Sequence, residues 1–373
     1  MTQLPESIAI AGAWGYIGRK FIDAARALGV RTFVYDPGPV PTDMNLDAIT
    51  RVEDEETFYH TKADLFHLAV HPEHRQRGQE ILFGRAANEP VLVLNEKPMA
   101  APEDPEQCDR VVRAVEQSGV TMLYDFPELY DDLTERIVQY LSRFRDLQIT
   151  ELAFCRSKDR EDRDISRNYK RMVTIQYQES VHCLAFVLYL LGRAKGDLAS
   201  VFEQGVSIAG ESEPYDPPNP ESYAHVVDGR CKYALSIGEI RVDGLTDFKA
   251  NATWAKQRVI SGIGDGQPFR IEVDYLENEK RLAINGEDQK CDPAASSYRQ
   301  VISTLARWYR EVSCDSLMQD AYPNPEFARV TYQLSSALWR SCRDGQELQF
   351  TSLNDLLAFD AGFAAEEPSF PRY

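Results

Sequence analysis

Three glycines, Gly12, Gly15 and Gly18, recur at intervals of three in the stretch "SIAIAGAWGYIGRKFIDAARALG" (7–29), between a short apolar run and a helical pattern. A strand, a glycine turn and a helix in that order form a cradle for a pyrophosphate. Gly12 permits the tight turn, Gly15 lets the backbone approach the phosphates, and Gly18 lets the helix pack close to the strand. The helix adds unpaired N–H groups and the positive end of its dipole. The spacing is G-x-x-G-x-x-G, a variant of the dinucleotide fingerprint G-x-G-x-x-G, and glycine turns after strands are common. Asp36 follows Gly18 by 18 residues, at the end of a second apolar run. A carboxylate there accepts hydrogen bonds from a ribose diol and repels a 2′-phosphate. Pro37 and Gly38 come next, with no arginine to welcome that phosphate. The pattern points to NAD over NADP. An aspartate that opens a turn before Pro-Gly is the alternative reading of the same residue.

These residues must be held by a sheet. Residues 8–11, "RTFVYD" (31–36), "ADLFHLAV" (63–70), "PVLVLNEKP" (90–98) and "VTMLYDF" (120–126) read as strands. Residues 18–28 read as a helix with Ile17, Phe21, Ala24, Ala25 and Leu28 on one stripe; 71–87 and 102–119 are helical as well. Alternating strands and helices imply a parallel sheet covered on both faces, a doubly wound Rossmann arrangement. After residue 128 the texture changes. Helices are expected at 128–144 and 179–192, a strand at 147–156, and a charged loop at 157–171. From 198 to 286 strands predominate, several with period-2 alternation, as in "RCKYALSIG" and "FRIEVDYL". A proline-rich loop (212–222) interrupts them, and helices at 296–313 and 324–342 close the chain. The expected architecture is α/β: a Rossmann domain over 1–127, and over 128–373 an α+β domain with an open, mostly antiparallel sheet.

Length and composition bound the rest. A chain of 373 residues exceeds the size at which one core stops growing, so two domains are expected. With 41 basic and 59 acidic side chains the net charge is −18, which argues against nucleic acid and anionic membrane as partners. No apolar run approaches the roughly 20 residues of a membrane span, and no secretory signal precedes the first strand. The seven cysteines are scattered and include no C-x-x-C, so free thiols in a reducing, cytoplasmic setting are expected. The six histidines (His60, His67, His71, His74, His182, His225) form no metal-ligand pattern, and no metal is expected.

At "VLVLNEKPMA" (91–100) a family comes into view. Glu96-Lys97-Pro98 after a buried strand resembles the EKP motif of the glucose–fructose oxidoreductase/inositol dehydrogenase (Gfo/Idh/MocA) family. "ADLFHLAVHPEHRQRGQEIL" is similar to that family's strand, Thr-Pro loop and helix, and "PMAAPEDPEQCDRVVRAVEQSGVTMLYDF" to its next helix and strand. "QESVHCLAFVLYLLG" sits where the family carries its active-site histidine helix. "YRQVISTLARWYREV" and "PEFARVTYQLSSALWRSCRDGQEL" resemble its last two helices. The resemblance implies a nicotinamide cofactor, substrates that are sugars, cyclitols or their derivatives, and hydride transfer at a carbinol carbon. Lys97 matches the catalytic lysine and His182 the catalytic histidine. Oxidising an alcohol needs a base for the hydroxyl proton and a cation near the developing alkoxide. Gly12, Trp14, Gly15, Tyr16, Ile17, Gly18, Asp36, Val70, His71, Pro72, Glu96, Lys97 and Asp125 would then border the cofactor. Lys97, Arg156, Tyr169, Lys170, Glu179 and His182 would border the substrate.

Several positions depart from the family pattern. The acids that often lie four residues before and three after the histidine are here Gln178 and Phe186. Glu179 replaces the missing acid or is an ordinary helix-start carboxylate. Thr-Pro is replaced by His71-Pro72, and Tyr124-Asp125 stands where an asparagine near the nicotinamide is common. An aspartate there is expected to favour NAD+ over NADH. Three functions remain open: an NAD-dependent dehydrogenase of CH–OH groups; an NAD-dependent glycosidase that oxidises its substrate transiently, with Glu179, His71 and Asp125 as available bases; and a non-catalytic nucleotide-binding regulator. Association into a homodimer or homotetramer through the open sheet is the partner expectation, with a carbohydrate or polyol as the small-molecule ligand.

Overall fold

The computed structural model describes residues 4–223, 226–249 and 252–363, so His225 lies outside the described residues. The chain divides into two compact units. The first is Met1–Ala101, Pro105–Asp132 and Ala295–Arg329; the second is Pro102–Asp104, Leu133–Ala294 and Val330–Tyr373.

In the first unit, β1 (Ser7–Ala11), β2 (Arg31–Tyr35), β3 (Ile49–Arg51), β4 (Leu65–Leu68), β5 (Leu92–Glu96) and β6 (Thr121–Asp125) form a parallel sheet. Its order is β3-β2-β1-β4-β5-β6. β1, β4, β5 and β6 are buried along their whole length, which explains their unbroken apolar runs. The strand order reverses between β1 and β4, and the C-terminal edge at such a switch point is where open α/β sheets bind ligands. Helix α1 (Tyr16–Leu28) buries Phe21, Ile22, Ala24 and Ala25 and ends on Gly29 in the left-handed conformation. Helices α2 (Glu55–Tyr59), α3 (Gln76–Ala86) and α4 (Glu106–Ser118) complete the crossovers.

The second unit opens with α5 (Asp132–Leu141) and β7 (Leu147–Ser157), then α6 (Val181–Lys195). Strands β8 (Val206–Pro214), β9 (Asp228–Ile237), β10 (Ile240–Asp247), β11 (Ala255–Gly264), β12 (Gln267–Asp274), β13 (Arg281–Ile284) and β14 (Glu287–Gln289) follow. After α7 (Ser297–Glu311), α8 (Cys314–Gln319) and α9 (Pro325–Asp344), β15 (Leu348–Phe350) joins the same sheet, and α10 (Leu353–Leu357) follows it. The order is β14-β13-β12-β11-β7-β10-β9-β8-β15. Of its neighbouring strands among the described residues, only β7 and β10 run parallel; the others are antiparallel.

The units do not divide the chain into two continuous segments at 127/128. Residues 295–329 pack with the first unit. Tyr298 on α7 meets Phe21 edge-on, Trp308 lies 4.9 Å from Tyr130, and the Thr304 hydroxyl donates to the Tyr130 carbonyl at 2.8 Å. The apolar stripe of α7 (Val301, Ile302, Leu305) is visible in sequence, but a stripe does not say which sheet it covers. Every cysteine in the described chain is a free thiol; Cys231 and Cys342 lie side by side, 3.7 Å apart. No helix among the described residues is long and apolar enough to cross a membrane.

Candidate active site

The glycine turn follows β1, and its three glycines have different reasons. Gly12 has φ +73°, and a β-carbon on it would stand 2.5 Å from the Ala69 carbonyl oxygen. A β-carbon on Gly18 would stand 2.3 Å from the Gly12 oxygen and 2.8 Å from Ala13 Cα. Both are demanded by the chain's own packing. Gly15 has φ −65°, is exposed, and would bring a β-carbon near only the Gly12 oxygen, at 3.2 Å. It is the N-cap of α1, which has no side-chain cap and no acid in its first turn. No side chain caps the positive end of α1, its first turn holds no acid, and the residue at its mouth has no methyl in the way. This fits a pyrophosphate.

Asp36 serves as a turn residue. Its Oδ1 accepts the Gly38 N–H at 2.9 Å, and its Oδ2 accepts the Trp14 N–H at 3.0 Å. The Trp14 indole N–H donates to the Gly38 carbonyl at 3.3 Å. The carboxylate therefore fastens the glycine turn to the end of β2, and each oxygen keeps a second lone pair for a ribose diol. Both readings of Asp36 are compatible with this geometry. Tyr16 and Ile17 open α1 beside it, half-buried.

The loop after β4 carries Val70, His71 and Pro72; His71 is exposed and Pro72 buried. The sequence reading missed the side chain that fixes this loop. Arg75 is buried, and its guanidinium donates from Nε to the Val70 carbonyl at 2.9 Å and from NH1 to the Pro98 carbonyl at 2.7 Å. One side chain thus joins the loop after β4 to the loop after β5. Burial lowers its guanidinium to about 10, still charged at neutral pH. Gln107 Nε2 adds a bond to the Pro72 carbonyl at 3.1 Å.

Lys97 follows the last residue of β5 and is half-buried; the Lys97–Pro98 peptide is cis. Beneath it, three strands bring together groups that no motif joined. Glu96 and Asp125 are register partners on β5 and β6. His67 on β4 lies with its Nε2 3.2 Å from Glu96 Oε1. A ligand-type atom of each residue lies within 4.8 Å of the other two. Asp125 is 1% exposed, and burial together with Glu96 and Glu128 pushes its carboxyl well above the usual range. Glu96 stays below the usual range despite burial, because the hydrogen bond with His67 and the charge of Lys97 favour its carboxylate. The signal for this cluster was present as "LFHL", "LNEK" and "LYDF" at strand ends, but strand register is needed to align them.

In the second unit, a wide turn of π geometry (Gln176–Ser180) leads into α6. Such turns often accompany functional positions. Glu179 in this turn is buried between two cations: Arg156 Nε at 2.5 Å and Lys158 Nζ at 2.7 Å. Burial draws the Lys158 ammonium well below its usual value, while Glu179 opposes that change. A carboxylate held twice has little capacity left as a base, so Glu179 acts here as the anchor of β7 to the turn. Lys158 was not singled out in the sequence; its place directly after β7, two residues from Arg156, carries the signal. His182 lies in the first turn of α6 and is buried. Phe186, one turn later, packs edge-on between Phe154 and Tyr275. The position of the family's second acid is thus filled by aromatic core. Tyr169 and Lys170 are exposed, and the Tyr169 hydroxyl donates to the Arg163 carbonyl at 3.2 Å.

This fold recurs in solved structures. The myo-inositol dehydrogenase from Corynebacterium glutamicum aligns with a TM-score of 0.65 and 14% identity over 93% of this chain and 99% of that one. The chain has the Gfo/Idh/MocA fold. An oxidoreductase from Agrobacterium radiobacter in complex with NAD+, L-tartaric acid and magnesium aligns equally well (0.65, 13% identity, 95% and 99% covered). So does a super-repressor mutant of Gal80p from Saccharomyces cerevisiae (0.66, 12% identity, 95% and 100% covered). The Gfo/Idh/MocA fold therefore joins this chain to dehydrogenases and to a regulator alike. No protein-family model matches the sequence, and no curated protein matches it.

Proposed function

We propose that the protein is a nicotinamide-dependent oxidoreductase that moves hydride to or from a hydroxyl-bearing carbon of a sugar, a cyclitol or a derivative. The observation that carries this reading is the first unit's sheet edge. A glycine turn leading into a helix without a side-chain cap and a half-buried lysine both follow C-terminal strand ends, on strands close to the switch point. Bound nicotinamide supplies the hydride acceptor or donor. Lys97 holds a positive charge where an alkoxide develops and passes the hydroxyl proton. His182 is assigned as the second proton-handling group. Arg75 keeps the Val70 and Pro98 backbones fixed while this happens. Asp36 selects NAD over NADP by accepting from the ribose diol.

Calorimetric titration tests the cofactor part: NAD+ or NADH binds, and NADP+ binds at least about tenfold more weakly, with the preference reduced in Asp36→Ala. Equal affinity for the two nucleotides in the native protein contradicts the assignment of Asp36.

A second reading has its own support. Gal80p from Kluyveromyces lactis, a transcriptional regulator, has the same fold with a TM-score of 0.61. The acid positions around His182 are occupied by Gln178 and Phe186, and Glu179 is tied up in ion pairs. On this reading the chain binds nucleotide and a partner without turnover.

A further inference from the structure

We propose that Asp125 and Glu96 form a proton-sharing pair that sets the charge presented to Lys97: at neutral pH the two carboxyl groups hold one proton, carried by Asp125, and one negative charge. The bearing on turnover rests on the oxidoreductase reading; the proton does not.

β5 and β6 are parallel neighbours, and Glu96 stands directly across from Asp125 at their C-terminal ends. Both residues are buried, at 8% and 1% exposure, and a carboxylate oxygen of each lies within 4.8 Å of the other. Two ionised carboxylates this close in a buried site repel each other, and a single proton held between them removes that repulsion. Asp125 is the better holder. It faces the carboxylates of Glu96 and Glu128, and its Oδ1 has no hydrogen-bond partner. Glu96 is the better anion, since the His67 ring lies within hydrogen-bond distance of it and the charge of Lys97 favours its carboxylate. The His67 ring completes the chain. Its Nδ1 has no partner, and it packs 3.9 Å from the Phe21 ring, so its hydrogen belongs on Nε2, toward Glu96. A bare lone pair against a phenyl ring costs less than a buried unpaired N–H.

The charged groups facing the pair are His67 from β4, Lys97 from the end of β5, Glu128 from the turn after β6, and Arg75 from the segment before α3. One net negative charge beneath Lys97, rather than two, leaves its ammonium easier to deprotonate, as a group that must accept a hydroxyl proton requires. Asp125 and Glu96 are thus positioning residues that act through Lys97.

Infrared spectroscopy of protein carrying 13C-carboxyl-labelled aspartate reads the proton without cofactor or substrate. The expected result is a protonated-aspartate carbonyl band that persists at pH 7, is absent in Asp125→Asn, and titrates at a pH lower by about one unit (tenfold in proton concentration) in Glu96→Gln. The last variant leaves Asp125 in place, so it separates pairing from burial alone. Three results overturn the proposal: no such band at pH 7, an unchanged midpoint in Glu96→Gln, or a stoichiometric divalent cation in the purified protein that Asp125→Asn removes. If the band behaves as stated while no substrate is ever turned over, the pair stands and the oxidoreductase reading falls. If turnover is found, Glu96→Gln moves the acidic limb of its pH profile in the same experiment series, and an unmoved limb overturns the link to Lys97.

Discussion

Gly12 and Gly15 sit three residues apart and differ in what an added methyl would meet. Gly12→Ala forces a positive φ on alanine and a contact with the Ala69 carbonyl, so urea unfolding is expected to show a loss of about 1–3 kcal/mol. Gly15→Ala meets one oxygen at 3.2 Å and is expected to stay within about 0.5 kcal/mol of the parent, yet to weaken NAD+ binding in the titration above. A Gly15→Ala protein that binds NAD+ as the parent does would leave this glycine with no phosphate role. Glu179 has a similar contrast between fold and function. Glu179→Gln leaves Arg156 and Lys158 as neighbouring buried cations and is expected to lower stability by about 3–5 kcal/mol in the same assay, a loss that marks it as an anchor. Little change in unfolding, with turnover abolished, would return Glu179 to the list of bases.

At the scale of elements, the parallel sheet was legible because buried strands and amphipathic helices alternate, and each strand's apolar run is long enough to read. β3, α2, α8, β15 and α10 were not anticipated; elements of three to six residues carry too little periodicity. The glycine turn and the lysine after β5 were legible for the same reason, since each follows a strand directly. Arg75 was not. It looks like any helix-start arginine until the two loops it joins are seen together. Arg75→Met removes donors to two carbonyls and is expected to cost roughly 2–3 kcal/mol, measured by denaturant unfolding at unchanged helix content. The β5–β6 pair was illegible because it depends on register. Its linkage to stability has a definite sign. The folded state holds the Asp125 proton above the usual carboxyl range, whereas the unfolded chain releases it near the ordinary value, so this group's contribution falls as pH rises between the two. Asn at 125 does not titrate. The melting temperature of Asp125→Asn relative to the parent is therefore expected to climb with pH across that window, and a pH-independent difference contradicts a raised Asp125.

At the scale of the whole molecule, the net charge of −18 argues against polyanionic partners and selects no substrate. The chain divides into two units with their own sheets, and residues 295–329 return to the first unit in a way that no composition change announces. The central claim is that the glycine turn and Lys97 serve one reaction. The measurement that meets it most directly is the absorbance of reduced nicotinamide when the purified protein is mixed with NAD+ and a panel of sugars and cyclitols. The account predicts a time-dependent gain with at least one polyol, reduced at least about a hundredfold in Lys97→Ala. Bound NAD+ with no gain for any member of a broad panel, in native protein and variant alike, would contradict it and put the regulatory reading first.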